Sequence, residues 1–219
     1  MAYQSTNPYD GKVVKTFDEI DDAGLERKVQ AAAACFEQWR DTSYAERKAV
    51  LSKAAALMRE RASELAGLVT LEMGKLIAQS QGEVALSAAI LDYYADNAEA
   101  FLAPEKLTTP RGEAMVESAP IGVVFGVEPW NYPYYQVARF AAPNLMAGNV
   151  VMVKHASNVP QCALAFERLI VDAGGPPGLY TNLFASKDQV SALIDDPRVR
   201  AVALTGSEAA GAIVAERAG

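Results

Sequence analysis

Asn131 stands in a turn, Pro129-Trp130-Asn131-Tyr132-Pro133, that follows the apolar run Val123-Val124-Phe125-Gly126-Val127. The run reads as a buried strand, so a carboxamide lies just past its carboxyl end, where open α/β sheets bind ligands. The flanking prolines fix φ and restrict the residues before them, which stiffens the turn. A rigid amide in that position can donate a hydrogen bond to a developing oxyanion. The alternative is a Pro-rich turn whose Asn caps the next helix. Lys154 closes a second apolar run, Val150-Val151-Met152-Val153. An ammonium at a parallel strand end can bind a ribose or a phosphate; the alternative is a solvated lysine. His155 would face the other way along the same strand, which assigns it packing or a local hydrogen bond. Thr205-Gly206-Ser207 closes a further strand and opens a helix. Gly206 permits close backbone approach, and Ser207 can cap the helix or offer its hydroxyl and amide to a phosphate. Gly206 and Gly211 have phosphate-loop spacing, but no Lys-Ser/Thr pair follows, so this is not a P-loop.

The elements that must position these groups fall into three stretches. Residues 1–105 read as helical. Asp21 and Asp22 precede a helix with Leu25, Val29, Ala32, Phe36 and Trp39 at helical spacing. Ser43 and Glu46 form a capping-box signal that opens one long segment through Leu51, Met58, Leu65 and Met73, interrupted at Gly74. A third helical segment, 77–101, ends before Pro104. Residues 106–119 carry turn chemistry and rough alternation and read as a short β excursion. Residues 120–219 alternate strand and helix, with strands at 123–127, 150–153, 180–184 and 201–204. Helical patterns at 134–147, 160–173 and 187–195, and one after Ser207, lie between and beyond them. That alternation predicts an α/β fold with a doubly wound, Rossmann-like parallel sheet.

Composition narrows the function class. The chain has 219 residues, 51% hydrophobic and 21% charged, which suits a folded core. A net charge of −7 argues against broad nucleic-acid or anionic-membrane binding. One histidine and two widely separated cysteines, Cys35 and Cys162, give no metal-ligand spacing, and both thiols read as packed. The N-terminus lacks a signal-peptide pattern and no apolar run reaches spanning length, so a cytoplasmic protein is expected.

The three strand-end signals occur together with Leu71-Glu72-Met73-Gly74-Lys75, Asn7-Pro8-Tyr9-Asp10-Gly11, Ala147-Gly148-Asn149 and Gly175-Pro176-Pro177-Gly178. In this order and spacing the chain resembles the aldehyde dehydrogenase superfamily over essentially its whole length. Lys154-His155-Ala156 and the Trp130-Asn131-Tyr132-Pro133 context look most like bacterial succinate-semialdehyde dehydrogenases. The resemblance implies oxidation of an aldehyde to a carboxylate with NAD or NADP. In such enzymes a cysteine thiolate attacks the aldehyde, hydride passes to the nicotinamide, and a glutamate activates water for thioester hydrolysis. It implies Asn131 as oxyanion donor and Trp130 in the cofactor channel. Lys154 is implied at the adenosine ribose or its 2′-phosphate, and Thr205, Gly206 and Ser207 at the pyrophosphate. Residues 106–119 resemble the β arm used for subunit assembly, which implies a homo-oligomer.

The resemblance also marks departures. NAD-preferring members often carry a glutamate three residues after the crevice lysine, and here that position is Ser157, which implies tolerance of NADP. The family's Glu-Leu-Gly-Gly segment and nucleophilic cysteine are expected beyond Gly219, and Cys35, Cys162, Glu72, Glu117 and Glu128 lie in no matching context. The chain therefore reads as the N-terminal, cofactor-binding portion of such an enzyme, inactive by itself. The alternative is a non-catalytic nucleotide-binding or assembly module that keeps the fold.

Overall fold

The structure, a computed structural model, describes residues 3–219. It opens with an antiparallel pair, β1 (Tyr3–Thr6) and β2 (Val13–Phe17), in register Tyr3 with Phe17. This corrects the helical reading of the first stretch. The short strand Tyr3-Gln4-Ser5-Thr6 has no apolar run to announce it. Its tertiary partners hold it instead: the Tyr3 hydroxyl donates to the Ala185 carbonyl at 2.9 Å, and the Gln4 amide donates to Ser157 O at 3.0 Å.

Helix α1 (Asp22–Trp39) starts at Asp21, whose side chain accepts from the Gly24 amide. The segment expected as one helix over 44–73 is two, α2 (Tyr44–Glu60) and α3 (Ala62–Met73), broken where Arg61 leaves helical geometry (φ −98°, ψ 19°). Neither Gly nor Pro marks the break. At the break the Arg61 side chain reaches α6 and pairs with Asp172 at 2.7 Å. The Ser43–Glu46 capping box forms at the start of α2. Gly74 ends α3 in the left-handed conformation at φ 73°, which only glycine adopts at low cost. α4 (Ile77–Phe101) follows, and then a fully exposed hairpin of β3 (Glu105–Thr109) and β4 (Gly112–Val116).

The remaining elements alternate: β5 (Val123–Glu128), α5 (Pro133–Met146), β6 (Val150–His155), α6 (Pro160–Asp172), β7 (Tyr180–Asn182), α7 (Lys187–Asp195), β8 (Val199–Leu204) and α8 (Glu208–Ala218). The third strand is shorter than the expected 180–184, because Leu183 leaves the ladder after bonding Val153 O. All pairings in this sheet are parallel and the strand order is β7-β6-β5-β8. The chain steps outward from β5 to β6 and β7, then crosses back to place β8 on the far side of β5. Those are the first four strands of the dinucleotide-binding order, with the switch point between β5 and β8. β5 and β6 are buried almost throughout, as parallel strands covered on both faces must be. α1 packs against β5, β6 and β7, while α5 and α6 cover their strands and are backed by α2, α3 and α4.

Candidate functional site

Three strand-to-helix junctions meet at the carboxyl edge of the sheet. The register sets Val127 of β5 opposite both Lys154 of β6 and Leu204 of β8. The loops carrying Asn131, Ser157 and Ser207 therefore leave the sheet at one edge. The Asn131 and Ser207 loops flank the switch point.

At the first junction Pro133 occupies the opening turn of α5, where its missing N–H costs nothing. The next two amides, of Tyr134 and Tyr135, donate to Glu83 Oε1 at 2.9 and 3.3 Å. The other oxygen of Glu83 is paired with Lys75 Nζ. That ammonium also donates to the Asn131 carbonyl at 3.0 Å and lies 3.5 Å from the Tyr132 ring centroid. Asn131 does not cap α5; Tyr132 holds the cap position without a capping bond from its own side chain, and Glu83 takes that role from α4. The Asn131 side chain is exposed, and Trp130 beside it is half exposed.

At the second junction Lys154 is half-buried, with Nζ 5.7 Å from the Tyr3 ring centroid. Burial, then the nearby Lys187 charge, lowers its pKa, with Glu19 opposing. His155 is fully buried. Its Nδ1 accepts from the Ala156 amide at 2.9 Å, so Nε2 is assigned the proton and donates to Pro133 O at 2.9 Å. Burial pushes its pKa down to about 4, so it is a neutral strut between β6 and α5, as a packing role requires. Ser157 does not cap α6: Val159 stands at that position, with no side-chain bond. α6 is capped from afar by Glu72, which accepts from the amides of Gln161 and Cys162 at 2.9 and 3.0 Å.

At the third junction the Thr205 amide donates to Val127 O at 3.0 Å, and Arg139 donates to its hydroxyl at 3.1 Å. The Ser207 hydroxyl accepts from the Ala210 amide at 3.3 Å and so caps α8. Gly206 is exposed, has no positive φ, and a Cβ there would meet nothing nearer than the Leu204 side chain at 3.4 Å. No packing within this chain requires glycine at 206. Glu128, 4% exposed at the end of β5, has one carboxylate oxygen with no protein partner. Burial raises its pKa to about 7, against lowering by Thr205 and Arg139.

Sequence reasoning missed Lys75, Glu83 and Glu72 as supports of these junctions. The Leu71-to-Lys75 segment stood out, but nothing in it says that its carboxylate and ammonium reach loops so distant in sequence. Both cysteines are buried free thiols. Burial pushes Cys35 up to about 11, and burial plus the Glu72 charge raises Cys162, so neither is an activated nucleophile. Among the described residues no cluster of three or more His, Cys, Asp and Glu could hold a metal, and no helix is long and apolar enough to cross a membrane.

The profile of the aldehyde dehydrogenase family matches residues 1–219. The chain belongs to the aldehyde dehydrogenase family. Succinate-semialdehyde dehydrogenase [NADP(+)] of Deinococcus radiodurans is 50% identical over 217 residues, 99% of this chain and 46% of that protein. A probable enzyme of the same name from Synechocystis is 44% identical, over 100% of this chain and 48% of that one. The chain spans about half the length of the curated relatives it matches. Among solved structures, succinic semialdehyde dehydrogenase from Streptococcus pyogenes in complex with NADP+ superposes with a TM-score of 0.97 at 46% identity, covering 99% of this chain and 48% of that one. An NAD-dependent benzaldehyde dehydrogenase from Corynebacterium glutamicum gives 0.91 at 26% identity, over 100% and 48%. The fold of this aldehyde dehydrogenase chain thus occurs with either cofactor.

Proposed function

We propose that this chain is the cofactor-binding and oxyanion-stabilising portion of an NAD(P)-dependent aldehyde dehydrogenase that oxidises succinate semialdehyde and accepts NADP at least as well as NAD. The observation that carries the reading is the switch point: the Asn131 loop and the Gly206–Ser207 helix start flank it, with Lys154 and Ser157 on the neighbouring strand end. The relatives named above supply the substrate and the NADP preference.

The residues present fit a dinucleotide. The α8 N-terminus presents backbone amides and a helix dipole beside an unobstructed Gly206, as a pyrophosphate needs. Lys154 is a partly desolvated cation, and Ser157 is not engaged as a helix cap, so both suit a ribose bearing a 2′-phosphate. Trp130 lines the approach and Thr205 shapes the floor beside Glu128. When bound, the nicotinamide supplies the hydride acceptor. Asn131 donates its amide to the substrate oxygen as negative charge develops there. The nucleophilic thiolate and the general base come from residues other than Cys35, Cys162 and the glutamates of this chain. Residues 1–105 supply the mainly helical part of the cofactor domain, which includes the β1–β2 pair, 106–119 an assembly arm and 120–219 the nucleotide-binding region of a cytoplasmic homo-oligomer.

The test is a comparison of wild type and Asn131→Ala in the complete enzyme with succinate semialdehyde. The expected result is a loss of kcat of about 100- to 1,000-fold with NADP affinity retained. An unchanged kcat would remove Asn131 from the mechanism, and absence of NADP or NAD binding would favour the assembly-module alternative.

A further inference from the structure

The turn that bears Asn131 has few backbone bonds of its own. Pro129 and Pro133 have no N–H, and residues 130–132 belong to neither strand nor helix. An exposed carboxamide on such a turn is aimed only as well as its backbone is held. One ion pair supplies the hold. Lys75 and Glu83 have side chains 7% and 0% exposed. Between them they bond the Asn131 carbonyl and the Tyr134 and Tyr135 amides, while the Lys75 ammonium also rests on the Tyr132 ring. Their grip thus holds Asn131 at its own carbonyl and at the residues that follow it. Burying such a pair is seldom the cheapest route to stability, since its desolvation offsets most of the attraction; fixing a geometry is the better-supported use. Gly74 turns the chain at the end of α3 and delivers Lys75 to this place.

We propose that Lys75 is a positioning residue for Asn131, aiming its amide by holding the Asn131 carbonyl, with Glu83 as the buried anchor that ties Lys75 to the start of α5. This rests on the reading of Asn131 as oxyanion donor. Lys75 touches neither substrate nor cofactor in this role. Its effect passes through the backbone of the turn. A misaimed donor loses transition-state stabilisation and leaves cofactor binding alone.

The experiment is a double-mutant cycle in the complete enzyme, with Lys75→Met and Asn131→Ala singly and together. It is assayed with succinate semialdehyde and NADP, with NADP affinity read separately by fluorescence titration. Lys75→Met is expected to lower kcat by about 10- to 100-fold with the NADP Kd changed by less than about twofold. In the Asn131→Ala background the same change should cost less than about threefold, because no amide remains to aim. Glu83→Gln keeps an acceptor for the Tyr134 and Tyr135 amides while removing the partner charge, and serves if Lys75→Met does not fold. It is expected to show the same dependence on Asn131, and Lys75→Arg is expected to recover part of the lost kcat. Equal losses in both backgrounds, or a lowered melting temperature with unchanged kcat, would overturn the proposal. If Asn131→Ala alone leaves kcat unchanged, the oxyanion reading itself fails and the positioning role falls with it.

Discussion

Glu128 ends β5 at the switch point with one oxygen unpartnered, and its carboxyl is raised from 4.5 to about 7 by burial. The folded protein therefore holds a proton there that the unfolded chain has already released. Stability from this group is present below pH 4.5 and is lost as pH rises from there to about 7, by on the order of 3 kcal/mol at most. His155 works in the opposite sense, losing stability as pH falls from 6.5 to about 4, but it does so equally in wild type and in a Glu128 variant. Glu128→Gln should thus gain stability relative to wild type as pH rises from about 4.5 to about 7, measured by urea unfolding at each pH. A difference that does not change with pH would refute the assignment. Ser157 carries the cofactor prediction. Ser157→Glu should shift kcat/KM toward NAD by about 1–3 kcal/mol, since a carboxylate accepts from ribose hydroxyls and repels a 2′-phosphate. A native preference for NAD that the substitution leaves unchanged would sink the idea. The placement of Asn131, Trp130, Lys154, Thr205, Gly206 and Ser207 at the carboxyl edge of the sheet was legible because each sits within a few residues of a strand end that hydrophobic runs reveal. Ser207 caps α8 with its hydroxyl, so what it can offer a phosphate is the backbone at the helix start.

Among the elements, the α3–α4 pair works as a clamp. Glu72 on α3 caps α6, and Glu83 on α4 caps α5. Both capped helices begin with proline, so each carboxylate meets the two amides that follow. A second close fit joins the Pro176-Pro177-Gly178 turn to α1. Gly178 has φ 90°, and a Cβ there would press into the Ala31 carbonyl. Gly178→Ala should therefore destabilise by about 2–4 kcal/mol, from strain at positive φ plus backbone overlap. Gly67, on the exposed side of α3 with nothing within 4 Å of its Cβ position, is the control. Gly67→Ala should stabilise by about 0.5–1 kcal/mol through helix propensity. Chemical denaturation of the two variants checks both signs, and a neutral Gly178→Ala would show that the turn can move away. Helices with caps and long periodic faces were legible. The β1–β2 pair was not, because bonds to distant segments hold Tyr3 and Gln4, and no Gly or Pro marks the break at Arg61.

For the whole molecule, the β3–β4 hairpin stands free of the rest, every residue exposed. Its register puts Leu107 opposite Ala114 and Val116 opposite Glu105, so Leu107, Ala114 and Val116 share one exposed face with Glu105 and Thr109. An isolated two-stranded ribbon is marginal in water, which suits an arm that is completed by another subunit. Leu107→Lys with Val116→Lys should reduce the assembled mass measured by light scattering while leaving NADP affinity intact. An unchanged mass would remove the arm from assembly.

Alternating hydrophobic runs, proline and glycine punctuation and capping residues determined that this chain is an α/β protein with a parallel sheet whose polar turns gather at the strand ends. Those signals are local, and local signals survive in a linear sequence. Only the tertiary structure decided that β8 returns beside β5, which creates the switch point. Only it showed that Tyr3 and Gln4 cross over to the Lys154–Ser157 junction, and that a lysine and two glutamates from the helical half hold the site loops. Those pairings join residues tens of positions apart or more, through hydrogen bonds and a cation–π contact. Their partners are fixed by how the layers stack, and no spacing in the sequence encodes that.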